Sequence, residues 1–207
     1  LQRADEIISG LWSAYRFDKP FSIFRQIRPN TNFWTGWDFG GARLSSGGNL
    51  SLYVQFKNLW WTNFGVNYEG RSLSNNLLRG GPAMLCPSSL NGWFNLGTNR
   101  SRKVSLSLYA NASRGAENVS ERYSAGIDLT VKPGQSFTAS IEPSWSINRN
   151  ELQYVTCAGD NKRYILSRID QQIVSMSVRL NYNITPDLTV QYWGQPFLAA
   201  MDYSRFK

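Results

Sequence analysis

A strict alternation of apolar and polar residues is the feature that most constrains how this chain folds. From Ser136 to Ile147, hydroxyl or carboxylate side chains occupy one set of alternate positions, and the other set includes Phe137, Ala139, Ile141, Trp145 and Ile147. Successive side chains of a β-strand point to opposite faces of a sheet. The segment is therefore predicted to be a strand with one apolar and one polar face.

The same period of two recurs along the chain, in residues 50–57, 104–110, 123–131, 174–184 and 188–193. Many of these strands are predicted to run for roughly ten residues or more, about twice the usual globular strand and the length that a tilted strand needs to cross a bilayer. No apolar run is long enough for a transmembrane helix. Lipid cannot satisfy polar groups, so the apolar set is expected to face lipid and the polar set a lumen.

The predicted connections differ in length between the two ends of the strands. Tight turns are expected at 132–134 and 185–187, and long polar loops at 72–89, 114–120 and 148–162. Short turns at one rim and long loops at the other are typical of outer-membrane barrels. At ~20 residues per strand and connection, 207 residues give about ten strands.

The predicted fold is thus an all-β, antiparallel transmembrane β-barrel, treated as one domain over residues 1–207. It is either closed by itself or the C-terminal part of a larger barrel, and since the sequence starts at Leu1 without Met, a preceding segment is expected. Aromatic residues are candidates for the girdles at the membrane interfaces. They are Trp12, Trp34, Trp37, Trp60, Trp61, Tyr68, Tyr123, Trp145, Tyr182 and Tyr192.

Composition excludes several kinds of site. The chain has no histidine and two cysteines, which rules out histidine-based catalysis, histidine-ligated metal sites and four-cysteine metal sites within it. The net charge of +8 comes from scattered residues, without the basic run that nucleic-acid binding requires. No cofactor, metal or nucleic-acid partner is expected.

Much of the sequence resembles a known family. The most specific segment runs from Arg179-Leu180-Asn181-Tyr182 through Thr185-Pro186-Asp187-Leu188 to Gln195-Pro196-Phe197, and 56–60, 79–82 and 202–207 are also similar. These residues resemble the C-terminal region of DUF5916, a Bacteroidetes-type family. The resemblance implies a large outer-membrane-associated barrel, usually preceded by a family-9-like carbohydrate-binding module that this sequence lacks. Some members carry a membrane-associated hydrolase label.

The loop Arg79-Gly80-Gly81-Pro82 is the most motif-like segment. Its glycines permit backbone conformations closed to other residues. It is either a constriction folded into the lumen, with Arg79 contacting an anion or sugar, or a turn between strands, which is the favoured interpretation.

Two acids on the predicted polar face, Asp128 and Glu142, are candidates for a glycosidase pair. A turn centred on Pro133 would place Glu142 opposite Ser124 and separate the two carboxylates by about 13 Å along the strands, which is too far for catalysis. They are expected to line the lumen instead.

The last hairpin is predicted to place Arg179 opposite Trp193 and Asn181 opposite Gln191 on the polar face, as a sugar-binding wall or as an internal network.

Cys86 and Cys157, both in predicted loops at one rim, are candidates for a disulfide across the loops.

The expected function is an outer-membrane barrel with a structural, transport or complex-forming role and no catalysis. The expected partners are outer-membrane lipid and lipopolysaccharide, together with other outer-membrane proteins or glycans. The alternatives are a carbohydrate-binding surface β-module and an outer-membrane-associated hydrolase acting on glycans.

Overall fold

The structure, a computed structural model, describes residues 5–159 and 163–207. Most of these residues lie in strands, and one 3-10 turn is present at Ala116–Asn118. The strands are β1 (Glu6–Ala14), β2 (Phe24–Asp38), β3 (Arg43–Phe56), β4 (Trp61–Glu69), β5 (Ser72–Ser74), β6 (Met84–Cys86), β7 (Ser89–Gly97), β8 (Val104–Gly115), β9 (Ser120–Val131), β10 (Phe137–Ala158), β11 (Arg163–Thr185), β12 (Leu188–Gly194) and β13 (Phe197–Ser204).

Eleven strands form a single antiparallel meander in the order β1-β2-β3-β4-β7-β8-β9-β10-β11-β12, and β13 also pairs with β11. β12 and β13 follow β11 in one continuous register, with a break at Gln195 and Pro196. β5 and β6 form a separate small hairpin within the connection from β4 to β7. The predicted all-β, antiparallel architecture is confirmed.

The predicted closed barrel is not found. Among the described residues, β1 pairs only with β2, and neither β12 nor β13 pairs with β1, so the sheet is open and has two free edges. None of the described residues forms a helix long and apolar enough to span a membrane.

Exposure along the strands is the reverse of that in a protein with an apolar core. In β8, Val104 is 55% exposed whereas the neighbouring Ser105 is 8% exposed. In β11, Val174 and Met176 are exposed whereas Ser175 and Ser177 are half-buried. Within the described part of the chain, the buried hydrophobic residues are only Leu44, Val54, Leu78 and Ile169. The apolar face of the sheet is therefore the more exposed one.

Large aromatic rings lie across glycines on the polar face. Each ring covers the glycine directly opposite it on the neighbouring strand, because any Cβ there would overlap the ring. The pairs are Trp34 over Gly47, Trp93 over Gly65, Trp61 over Gly97 and Tyr109 over Gly126. Glycine leaves room for a ring lying flat on the backbone, so these pairs fill the polar face without an apolar core.

Two of the predicted long loops are largely strand. Arg114 and Ser120 belong to β8 and β9, which leaves only residues 116–119 as their connection. Most of 148–162 belongs to β10. The pairing of β10 with β9 stops where Asn150 faces Ser120, but β10 and β11 continue to pair with each other as far as Ala158 and Arg163. Residues 160–162 lie outside the described part. The connection between β4 and β7 is the long one, as predicted.

Replacing Gly47 with alanine is expected to destabilise the sheet by about 1–3 kcal/mol, because the added Cβ would lie 2.6 Å from both the Trp34 ring and the Tyr68 carbonyl oxygen. Gly92→Ala is the matched control, since the nearest atom to its Cβ would be 3.8 Å away. Denaturant unfolding followed by circular dichroism measures both. Equal stability of the two variants would contradict the packing role of the ring.

Candidate functional site

The polar face carries the residues that the sequence singled out. The last hairpin has the predicted register, with Arg179 opposite Trp193 and Asn181 opposite Gln191. Hydrogen bonds link neighbouring strands across this face, for example from Asn32 Nδ2 to Asn49 Oδ1 at 2.8 Å. They also include Trp93 Nε1 to Asn63 Oδ1 at 2.9 Å and the contact between the Ser144 and Ser175 hydroxyls at 2.7 Å.

The predicted separation of Asp128 and Glu142 is wrong. β9 and β10 pair Leu129 with Ile141 and Gly126 with Ser144, and this unbroken register places Asp128 directly opposite Glu142. Facing side chains on antiparallel strands have Cβ atoms about 4.5–5.5 Å apart. The error came from the turn, because Val131 pairs with Ala139 and the hairpin is wider than a tight turn at Pro133.

The surroundings of these two acids are mostly hydroxyl groups. Thr130 Oγ1 donates to Asp128 Oδ1 at 2.9 Å. Ser107 faces Asp128, and Ser177 faces Glu142. Arg179 lies two residues beyond Ser177, at the diagonal position where a long side chain can reach Glu142. The two carboxylates are thus neighbours in a polar setting.

The girdle candidates divide between the two faces. Tyr123, Trp145 and Tyr182 lie on the apolar face, in register with Ile147, Val174 and Phe137. Trp34 and Trp61 instead lie on the polar face over glycines, and Trp12 faces Asn32 on that side. The alternation in the sequence could have assigned these aromatic residues to the two faces. It does not show which of them lies over a glycine of the neighbouring strand.

The Arg79-Gly80-Gly81-Pro82 loop packs against the long β10–β11 hairpin. The Arg79 guanidinium lies 5.6 Å from the centre of the Tyr154 ring, and a Cβ on Gly81 would come within 2.5 Å of the Tyr164 ring. Arg79 and Gly80 both have positive φ, so a turn is formed, as the favoured interpretation states. The loop also joins β4 and β7 to a distant hairpin.

Cys86 and Cys157 are free thiols, so the structure does not contain the predicted disulfide. Cys86 lies on β6, whereas Cys157 lies in β10 and faces Tyr164 of β11 rather than β6. Burial raises the pKa of the Cys86 thiol, which disfavours the nucleophilic thiolate.

A belt of ion pairs crosses the apolar face near the rim that carries the β4–β7 and β8–β9 connections, which we call the loop rim. Sequence reasoning missed this belt. Arg114 faces Glu121, Glu121 faces Arg149, and Arg149 faces Asp170 on successive strands. The distances run from 3.7 Å for Arg114–Glu121 to 2.7 Å for Arg168–Asp170. We call this set the charge belt; it comprises Arg114, Glu121, Arg149, Glu151, Arg168, Asp170, Arg205 and Lys207.

The acids of the charge belt are more buried than most of its cations. The Glu151 side chain is 17% exposed and contacts Arg168, Arg205 and Lys207, of which Arg205 is 68% exposed. The hydrogen bond from Arg168 is the main cause that lowers the pKa of Asp170, and the same bond raises the pKa of Arg168. The sequence did contain a signal for the belt, because Glu121, Arg149 and Asp170 are charged residues at positions that the alternation assigns to the apolar face.

Comparison with known families matches the whole chain. The model of a domain of unknown function, DUF5916, covers residues 1–207. The chain belongs to the DUF5916 family. No curated protein and no solved structure matches this DUF5916 chain.

Removing the Asp170 carboxylate from the DUF5916 chain tests the charge belt. Asp170→Asn is expected to lower the free energy of unfolding by up to about 1 kcal/mol at neutral pH, since the ion pair is partly exposed. The folded pKa lies below the unfolded value, so the pair stabilises the fold above roughly pH 4 and loses this effect as pH falls through the folded pKa.

Denaturant unfolding at neutral and acid pH measures this difference. Asp202→Asn is the control, because Asp202 faces Asp170 on β13 but forms no ion pair with any described residue. A destabilisation that is the same for both variants, or independent of pH, would contradict the assignment.

Proposed function

We propose that this chain forms part of the wall of a transmembrane β-barrel in a cell outer membrane, with a structural, transport or complex-forming role and no catalysis. The observation that carries the proposal is that apolar side chains are exposed along many strands while the polar side chains that alternate with them are mostly half-buried. Water favours the opposite arrangement, whereas lipid favours an apolar exterior around a polar lumen.

The height of the apolar band fits a bilayer. In β10 it runs from Phe137 to Ile147, ten steps along the strand. At ~3.3 Å per residue and a tilt of about 40°, these steps span about 25 Å, the height of the apolar band in outer-membrane barrels. Arg149 of the charge belt is the next residue on this face of β10, and Lys132 lies in the turn between β9 and β10 at the other end. Both limits of the band are therefore charged.

The shape of the apolar face also suits contact with acyl chains. A depression of about 780 Å³ lies on it, lined mostly by apolar side chains such as Leu52, Phe64, Phe94 and Trp145 and by the small residues Ala110 and Ala125. Beside the belt, exposed guanidiniums can contact the phosphates of lipid and lipopolysaccharide headgroups. We therefore propose outer-membrane lipid and lipopolysaccharide as partners.

The two free edges indicate how the barrel is completed. An unpaired strand edge leaves backbone N–H and C=O groups without partners, which lipid does not tolerate. We propose that further strands pair with β1 and with β12 and β13, which makes this sheet part of a larger barrel.

Two adjacent residues of β11 test the assignment of faces. Val178 lies at the middle of the apolar band, so Val178→Arg is expected to destabilise insertion by about 2–4 kcal/mol and to prevent assembly. Ser177→Arg is the matched control, because Ser177 lies on the polar face opposite Glu142, where a cation finds a partner. Heat-modifiable gel migration of the membrane fraction measures assembly.

Two results would count against the proposal. If Ser177→Arg blocks assembly and Val178→Arg does not, the faces are assigned the wrong way round. If the full-length protein is fully extracted from cells in buffer without detergent, the protein is not a membrane barrel.

The facing carboxylates favour one second candidate, a membrane-associated hydrolase acting on glycans. Retaining glycosidases hold two carboxyl groups about 5–5.5 Å apart, and the register brings Asp128 and Glu142 to neighbouring positions. If this candidate is right, glycan turnover by the full-length protein disappears in Glu142→Gln. The matched control is Glu69→Gln, another acid on the polar face. Turnover that persists in Glu142→Gln would eliminate the pair as catalytic.

A further inference from the structure

A pocket of about 430 Å³ lies on the polar face at the rim that carries the β9–β10 and β11–β12 turns, which we call the turn rim. This rim is at the opposite end of the strands from the charge belt. The pocket is formed by the start of β2, by β3 and β4, and by the connection between β7 and β8. Its lining consists of Arg25, Tyr53, Gln55, Leu59, Trp61 and residues 99–101. Two arginines, two residues with amide side chains, two with hydroxyl groups and two with aromatic rings thus line a single volume.

The cations of this pocket have no acidic partner. Within residues 5–159 and 163–207, Arg25 and Arg100 form no ion pair, in contrast to the arginines of the charge belt. Asp18 lies near this part of the sheet, but its carboxylate already has partners. It accepts a hydrogen bond from Gln26 Nε2 at 2.8 Å and forms an ion pair with Arg16 at 3.4 Å. The pocket therefore has a surplus of positive charge.

A backbone bulge directs Arg25, and a ring contact positions Arg100. Arg25 occupies a β-bulge, since the register of β2 and β3 shifts between Phe24 and Gln26, and bulges re-aim side chains beside binding sites. Arg100 lies 4.7 Å from the centre of the Trp61 ring. That ring is itself held flat on Gly97, where no Cβ would fit. The N–H groups of Arg100 are thus positioned by a ring before any ligand binds.

We propose that this pocket binds the oxyanion group, carboxylate or phosphate, of a sugar-sized ligand. Guanidinium groups match both oxyanions in a bidentate manner. The amides of Gln55 and Asn99 and the hydroxyl of Ser101 are suited to sugar hydroxyls. The inference does not depend on the membrane assignment, because neighbouring elements of one sheet form the whole pocket.

Calorimetric titration of the full-length protein, kept monodisperse in buffer or detergent, tests the proposal. The probes are glucuronate, glucose 6-phosphate, glucose and inorganic phosphate. Glucuronate or glucose 6-phosphate is expected to bind saturably and more weakly as salt increases, whereas glucose does not bind. Arg25→Gln and Arg100→Gln are each expected to weaken binding about tenfold or more, since each removes a charge-assisted hydrogen bond.

Arg102→Gln is the matched control, because Arg102 lies in the same connection as Arg100 but does not line the pocket. It should leave the affinity unchanged. Equal binding of glucose and glucuronate would overturn the oxyanion assignment, and equal binding of inorganic phosphate and the sugar phosphate would overturn the sugar assignment. Absence of binding by all four probes, or an equal loss in Arg102→Gln, would overturn the proposal as a whole. Failure of the membrane experiments leaves these results intact, so the two proposals fail separately.

Discussion

The pairing of successive strands of the main sheet, from β1 to β12, is the constraint on which the rest of the structure depends. It satisfies the backbone hydrogen bonds within the sheet and sets the register of each pair, apart from one-residue shifts at bulges in the β2–β3, β10–β11 and β11–β12 pairs. Because side chains alternate, the register brings like residues together across many strands, for instance Phe64 beside Phe94 and Ala110 beside Ala125. A shift of one residue in any pair would mix the two faces. The apolar surface and the polar surface are therefore products of the same ladder.

The polar face holds the sheet together in the way that an apolar core does in most proteins. Few hydrophobic residues are buried in the described part of the chain, so packing comes from rings over glycines and from hydrogen bonds between strands. Buried polar groups mostly find hydrogen-bond partners in folded proteins. The serines and asparagines of this face fill space, and several bond to one another, as in the Asn32–Asn49 and Ser144–Ser175 pairs. The buried hydroxyl of Ser167 is an exception, since it has no partner among the described residues.

Sequence reasoning succeeded where a local rule decides the structure and failed where a distant strand decides it. The period of two identified the strands around residues 104–110, 123–131 and 174–184, and the Pro186 turn gave the correct last hairpin. The turn after Val131 is wider than its Pro-Gly sequence indicates, because pairing resumes only at Ala139. The strand over residues 148–158 exists because β11 pairs with it. Likewise, the face and role of Trp61 depend on Gly97, a residue 36 positions away in another strand.

The positive charge of the chain takes two different forms at the two rims. At the loop rim, arginines stand on the apolar side and are held by half-buried carboxylates, so each cation is partly neutralised before it meets a partner. At the turn rim, Arg25 and Arg100 stand on the polar side and form no ion pair with any described residue. A neutralised belt beside an apolar surface suits contact with many headgroups, each of them weakly held. Unpaired guanidiniums in a defined pocket suit one small anion, because the binding free energy is not spent on separating an existing ion pair. The charges of these two regions are thus better understood as two local chemistries than as parts of one uniform basic surface.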